Sequence, residues 1–141
     1  MNLSKALAAV GLLATLVPGL AAAQGRKDIG QREYDNNCAS CHGVAGKGDG
    51  PMRRHLVTPP SDLTQLTRRN GGVFPGQRIA EAIDGRDSKQ IGPHGSREMP
   101  VWGEVYRARA AQVGATELDQ EWHARGRLLA LLDYLSRIQQ R

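Results

Sequence analysis

The stretch Cys38-Ala39-Ser40-Cys41-His42 is the most informative part of this sequence, because it holds both cysteines of the chain and a histidine directly after the second. Two cysteines with two residues between them, followed by histidine, form the attachment signature of covalently bound haem. Each thiol can add to one vinyl group of the porphyrin, and the imidazole then lies beneath the ring and can bind the iron. The motif therefore predicts one haem c held by Cys38 and Cys41, with His42 as the proximal iron ligand.

Three other interpretations of the two cysteines are open. An exported protein can pair Cys38 with Cys41 in a disulfide. The same spacing occurs in thioredoxin-like redox pairs, but these accompany a βαβ pattern that is not visible in this sequence. A zinc site would need His55 and His94 in place of a second cysteine pair. The complete five-residue signature favours haem attachment over all three.

The second axial position of the iron has five candidate ligands: Met52, His55, His94, Met99 and His123. We predict Met99, because Pro100 directly follows it, and a proline stiffens the backbone and removes a donor. Such a loop would let the thioether face the iron from the side opposite His42. A lone methionine is otherwise more often a gap-filling core residue. Beside an iron with a vacant position, ligation is the better interpretation, since histidine–methionine pairs are an established ligand set.

A histidine and a methionine together fill both axial positions, so the iron keeps no site for a substrate or for O₂. The thioether also favours Fe(II) and raises the reduction potential. These properties suit single-electron transfer, and we predict an electron carrier, not an enzyme. Trp102 could pack on the haem or simply fill the core. Arg86 and Arg97 could neutralise haem propionates or remain solvated.

The N-terminal segment has the three-part layout of a secretory signal. A polar start carrying Lys5 precedes an apolar run over residues 6–17, and Ala21-Ala22-Ala23 supplies small residues before a cleavage site. The run is about 12 residues long, well below the roughly 20 that a spanning helix needs. We therefore expect a cleaved signal peptide (1–23), a mature domain (24–141), a periplasmic location and no stable membrane anchor.

The charge of the chain limits the classes of partner. Lys and Arg number 19 against 14 Asp and Glu, which gives a formal net charge of +5. A basic protein can bind nucleic acid, but secretion argues against that class here. A solvated surface is the simplest interpretation of the excess charge. A basic face that steers the protein towards redox partners with acidic docking surfaces is the more specific one.

Apolar spacing predicts helices and no strand, and hence an all-α fold. The predicted helices lie within residues 27–37, after the Ser61-Asp62 cap, over residues 77–84 and over residues 117–139, and the predicted loops are residues 43–60 and 86–100. In the first helix, Ile29, Gly30 and Tyr34 are predicted to share one face. Gly85 is predicted to stop the third.

The last helix is the most strongly predicted. Thr116 is a good N-cap, with Asp119 three residues later. Apolar residues then recur at steps of three and four and form one apolar stripe: Leu118, Trp122, Leu128, Leu131, Leu132, Leu135 and Ile138. Gly126 could bend or break this helix.

These features resemble the class I monohaem bacterial cytochromes c across the whole mature chain. Five segments carry the resemblance: Gly30-x-x-x-Tyr34-x-x-x-Cys38, the attachment site with Gly43, Pro59-Pro60-Ser61-Asp62-Leu63-Thr64, Met99-Pro100-Val101-Trp102-Gly103, and Leu131 to Leu135 with Tyr134. They are similar to the family's first helix, haem site, proline segment, distal-ligand loop and closing helix. Residues 104–127 have no assignment from the resemblance.

The resemblance implies specific contacts and a function. Gly30 should let the last helix cross the first closely, and a prolyl carbonyl of Pro59 or Pro60 should accept a hydrogen bond from Nδ1 of His42. The family implies transfer of single electrons between redox proteins. A haem-bearing subunit of a dehydrogenase or oxidase is the alternative, and a haem enzyme such as a peroxidase is a third candidate.

Overall fold

The structure, a computed structural model, describes residues 26–85 and 99–140. The predicted signal peptide (1–23) and most of the predicted loop 86–100 lie outside these ranges. Three candidate side chains also lie outside them: Arg86, His94 and Arg97.

The described residues form helices and loops without a strand, which confirms the predicted all-α fold. In chain order the α-helices are α1 Ile29–Asn37, α2 Ala39–His42, α3 Leu66–Arg69, α4 Gly76–Asp84, α5 Trp102–Gln112 and α6 Glu117–Arg137. Two 3₁₀ helices, Pro51–His55 and Leu63–Gln65, lie between α2 and α3. No helix within the two described ranges is both long enough and apolar enough to cross a bilayer.

The crossing of α1 and α6 forms the centre of the fold. A Cβ atom on Gly30 would overlap the carbonyl oxygen of Ala130 and lie 2.9 Å from Cβ of Tyr134, so only glycine allows this approach. Tyr34 is fully buried beside the crossing, with its ring centroid 5.1 Å from that of Tyr134. These contacts confirm that Gly30 lets the last helix cross the first closely.

Ile29 does not share the buried face of α1, and that part of the prediction is wrong. Ile29 is 48% exposed, whereas Gly30, Glu33 and Tyr34 are buried. Adjacent helical residues differ by about 100° of rotation, so the face that contains Gly30 and Tyr34 also contains Glu33 and turns Ile29 towards its edge. Glu33 is accepted at this position because it pairs with Arg127 of α6.

The predicted helix starts and stops are confirmed for the shorter elements. Asp62 accepts a hydrogen bond from the N–H of Thr64 at 2.9 Å and so caps the 3₁₀ turn that leads into α3. Helix α4 ends at Gly85, whose φ of 94° is in the left-handed region that glycine adopts without strain.

Helix α6 begins as predicted but turns part of its apolar stripe outwards. Thr116 and Asp119 form a capping box, and the helix continues unbroken through Gly126. Leu131 and Leu135 are buried, but Leu118 and Trp122 are 66% and 62% exposed. The core-facing position of the first half of α6 is Ala124, and Trp122 lies about 200° around the helix from it. The predicted apolar stripe is therefore buried at Leu131 and Leu135 but exposed at Leu118 and Trp122.

The unassigned stretch, residues 104–127, forms most of α5, a turn and the first half of α6. Helix α5 packs on α6, and Tyr106 and Ala110 of α5 are buried. Three of its apolar residues are alanines, and charged side chains at Glu104, Arg107 and Arg109 interrupt the apolar pattern. A repeated step of three and four from Gly103 to Tyr106 to Ala110 was the available signal for this helix.

Arg107 joins three helices. Its guanidinium contacts Glu104 at 2.9 Å, Glu121 of α6 at 3.2 Å and Asp84 of α4 at 3.5 Å. Gly103 permits the approach of α4, because a Cβ there would overlap the Asp84 carboxylate. The start of α5, and with it the segment after Met99, is thus held against the rest of the fold.

Replacement by alanine is expected to have opposite effects on stability at two glycines, Gly30 at the crossing of α1 and α6 and the exposed Gly126 of α6. Gly30→Ala should destabilise the holoprotein by about 1–3 kcal/mol, since the added methyl group meets backbone that cannot move aside without separating the helices. Gly126→Ala should stabilise it by about 0.5–1 kcal/mol, because the exposed helical Gly126 has no atom within 4 Å of the added position. Denaturant unfolding of both variants measures these changes. Equal stability of Gly30→Ala and wild type would contradict the close packing.

Candidate haem-binding site

The residues of the haem-attachment motif form one helical turn that continues from α1. The N–H of Cys38 donates to the carbonyl of Tyr34 at 2.8 Å, and the carbonyl of Cys38 accepts from the N–H of His42 at 2.9 Å. Residues three apart share one face of a helical turn, so Cys38 and Cys41 present their thiols on the same side. The hydroxyl of Tyr34 donates to the carbonyl of Gly43 at 2.6 Å and fixes the end of the turn.

Both cysteines are free thiols and half-buried, so the disulfide interpretation has no support in the structure. Burial, and then the negative charge of Glu33, raise the pKa of Cys38 to about 12. Cys38 is therefore a protonated thiol at neutral pH. A thioredoxin-like redox cysteine needs the opposite, a lowered pKa that supplies a thiolate. Addition of an S–H group across a vinyl bond remains compatible with this environment.

The imidazole of His42 is held in one orientation by the backbone. Its Nδ1 lies 3.0 Å from the carbonyl oxygen of Ser61, which can only accept, so Nδ1 carries the proton and Nε2 is left as the free lone pair. Burial lowers the pKa of His42, and the hydrogen bond to Ser61 opposes this change without reversing it. The side chain is thus neutral at pH 7, which is the form that binds iron.

The expectation of a prolyl carbonyl as the partner of His42 is wrong in this structure. The carbonyl of Pro60 lies against Gly48, where a Cβ would overlap it, and the next carbonyl along, that of Ser61, reaches Nδ1. Gly48 has a φ of 76°, which lets the loop pass this close to the proline segment. The hydrogen bond from Leu63 N–H to Gly46 at 2.7 Å fixes the register between the two segments.

The candidate distal ligands differ in their environment. Met99 is half-buried and packs against the apolar core cluster that Cys38 also contacts. Met52 and His55 are exposed on the 3₁₀ helix Pro51–His55, and His123 lies on α6. Among the described candidates, Met99 is the one that packs against this cluster together with Cys38 of the attachment motif.

The residues present fit a haem. Two free thiols and a neutral histidine are the groups that a covalent haem requires. The core of the fold is also small, and several large apolar side chains beside it are only partly buried: Leu63, Phe74, Ile79, Met99 and Trp102. The ring centroids of Trp102 and Tyr106 lie 6.2 Å apart, so Trp102 contributes to the core. A macrocycle would cover apolar surface that the chain does not bury by itself.

Comparison with known proteins gives one match. A family model described as Cytochrome c matches residues 28–119, which is more than half of the chain and includes the attachment motif and Met99. Neither the curated proteins nor the solved structures yielded a match.

Covalent attachment predicts that haem stays with the denatured chain. Extraction of the wild type with acidified organic solvent should leave the haem on the protein, and the intact mass should be that of the chain plus one haem. Replacing both Cys38 and Cys41 with alanine should abolish attachment, since both thioether bonds are lost. Ser40→Ala, between them, is the matched control and should keep it. Haem leaving the wild type with the solvent would contradict the assignment.

Proposed function

The chain belongs to the cytochrome c family, and on this basis we propose that it is a periplasmic carrier of single electrons between redox proteins. Cys38 and Cys41 hold one haem c, His42 is the proximal ligand of its iron and Met99 the distal ligand. The observation that carries the proposal is the state of His42, neutral and oriented by Ser61 so that Nε2 is free for a metal. The partners are redox proteins with acidic docking surfaces.

The haem would supply a one-electron couple, and the residues around it would determine whether the iron can bind other ligands. The hydrogen bond to the carbonyl of Ser61 would hold the imidazole of His42 in one orientation while it binds the iron, which would limit reorganisation. Met99, which packs beside the core, would supply its thioether as the second protein ligand of the iron and so exclude small ligands. These features favour a carrier over a haem enzyme.

A haem-bearing subunit of a dehydrogenase or oxidase is the second candidate. One surface favours it: Leu118, Trp122 and Leu129 are each more than 60% exposed and follow one another along the outer side of α6. Exposed apolar patches of this kind mark protein interfaces. Arg125 interrupts the patch, with its guanidinium carbon 5.8 Å from the ring centroid of Trp122. Three side chains are also fewer than a permanent interface needs, so the free carrier remains the first proposal.

The role of Met99 separates a carrier from an enzyme. Oxidised wild type should show the weak near-infrared sulfur-to-iron band of methionine ligation, and the reduced protein should be low-spin and slow to bind carbon monoxide. Met99→Ala should remove the band, lower the reduction potential and open the iron to carbon monoxide, because the thioether is lost. Optical spectroscopy and redox titration measure all three changes.

Met52→Ala is the control for this experiment, since Met52 is an exposed methionine on another element. It should leave the band and the potential unchanged. Loss of the band in Met52→Ala would show that the distal ligand is misassigned. A high-spin wild type that takes up carbon monoxide readily would reject the carrier and favour an enzyme.

Cell fractionation tests whether the protein is exported and whether it is free of a larger complex. The protein should be recovered from the periplasmic fraction with Gln24 as its first residue, because the signal layout places cleavage after Ala23. Gel filtration of that fraction should give the size of the free mature chain. A chain that keeps residues 1–23 in membranes would refute the cleaved signal. Recovery solely within a larger dehydrogenase or oxidase complex would favour the subunit.

A further inference from the structure

A buried carboxylate lies on the face of α1 that meets the last helix. Glu33 is buried, and one of its carboxylate oxygens pairs with the guanidinium of Arg127 on α6. The other oxygen accepts a hydrogen bond from the side-chain amide of Asn37 at 2.8 Å. Arg109 of α5 donates to the carbonyl oxygen of that amide at 3.4 Å. Three helices therefore supply the partners of one buried negative charge.

The charge of Glu33 acts on two neighbouring groups. Burial, and then this charge, raise the pKa of Tyr106, a side chain of α5 that is fully buried. The same two causes raise the pKa of Cys38 to about 12. A charge enclosed among buried groups is screened by water and salt much less than a surface charge. The field of Glu33 therefore extends to the first haem-attachment cysteine.

Cys38 also links this carboxylate to the haem site by packing. It directly follows Asn37, and it packs against the apolar cluster that contains Tyr106 and that Met99 also contacts. One thioether bond of the haem would form at Cys38, where the field of Glu33 is felt. Reduction adds one electron, and hence one negative charge, at the haem. A fixed negative charge nearby opposes this addition and stabilises the oxidised form.

We propose that Glu33 sets the reduction potential of the haem, lowering it through the charge of its enclosed carboxylate. The proposal rests on the carrier function and adds the residue that adjusts the driving force of electron exchange. Arg127 opposes the effect, because its guanidinium carries the opposite charge. Its side chain is 37% exposed against 9% for Glu33, so water screens the guanidinium more and the carboxylate dominates.

Two carboxylates at α1 allow a matched comparison. Glu33→Gln removes the charge but keeps an oxygen that can accept from Arg127. Asp28→Asn is the control, because Asp28 also pairs with an arginine of α6, Arg137, while both side chains are largely exposed. Asp28 is the N-cap of α1, and asparagine is an equally good N-cap, so the control should keep the start of the helix. Covalent haem content and the near-infrared methionine band are measured first on each holoprotein.

Glu33→Gln should raise the reduction potential, because the added electron no longer meets the negative charge. At a fixed ambient potential near the wild-type midpoint, the ratio of reduced to oxidised protein should rise by roughly threefold or more. Asp28→Asn should change this ratio much less, since its charge is exposed to water. The effect of Glu33→Gln should persist at high salt, which screens the exposed pair. Spectroelectrochemical titration measures the ratio without a protein partner.

Arg127→Gln tests the sign of the effect. Loss of the guanidinium leaves the carboxylate without its counter-charge, so the reduction potential should fall. Altered packing or entry of water would shift Glu33→Gln and Arg127→Gln in the same direction, so opposite shifts are specific to charge. Where Glu33→Gln yields no holoprotein, a lower potential in Arg127→Gln supports the proposal, and an unchanged or higher potential overturns it.

The outcomes separate this proposal from the carrier function. A wild type without a reversible one-electron couple would reject the carrier function itself. A normal wild-type couple with an unchanged potential in Glu33→Gln, or with equal shifts in Glu33→Gln and Asp28→Asn, would overturn the role of Glu33 alone. Shifts of the same sign in Glu33→Gln and Arg127→Gln would also overturn it, because packing and not charge would then explain them.

Discussion

The backbone contact between α1 and α6 at Gly30 is the constraint on which the other parts of the structure depend. Because no side chain separates the helices there, Tyr34 is enclosed beside Tyr134, and its hydroxyl reaches the carbonyl of Gly43. That hydrogen bond fixes the C-terminal end of the attachment segment, residues 38–42. The N-terminal end of the segment is fixed because it continues directly from α1. The position of both thiols is therefore set by a contact between two helices that are about 100 residues apart in the sequence.

The chemistry of the site follows from burial next to this contact. Burial raises the pKa of the Cys38 thiol and lowers the pKa of the His42 imidazole. The neutral imidazole is the form that binds iron, and the neutral thiol is compatible with addition to a vinyl group. The buried Glu33 adds to the first effect, and its pairing with Arg127 of α6 allows a carboxylate to stay at this depth. The same helix crossing thus supplies both geometry and protonation state.

The charges of the fold divide into two groups with different uses. On α5 and α6, four arginines pair with carboxylates: Arg107, Arg125, Arg127 and Arg137. Arg107 alone contacts three carboxylates. Such pairs orient helices and contribute little long-range field. On the attachment side, Arg53 and Arg54 have no paired carboxylate among the described residues, so their field extends into solvent. The net charge of +5 describes the whole chain and does not show how its charges are distributed over the surface.

Sequence alone was sufficient for the features that depend on neighbouring residues: the attachment motif, the Thr116 cap, the stop at Gly85 and the all-α class, since caps, turns and helical periodicity are local properties. Only the tertiary structure decided that Ser61 and not a proline accepts from His42, that Leu118 and Trp122 face outwards, and that α5 fills residues 102–112. Carbonyl direction and burial are set by contacts between separate segments, here Gly48 against Pro60 and α5 against α6. No local pattern encodes which of several similar groups makes such a contact.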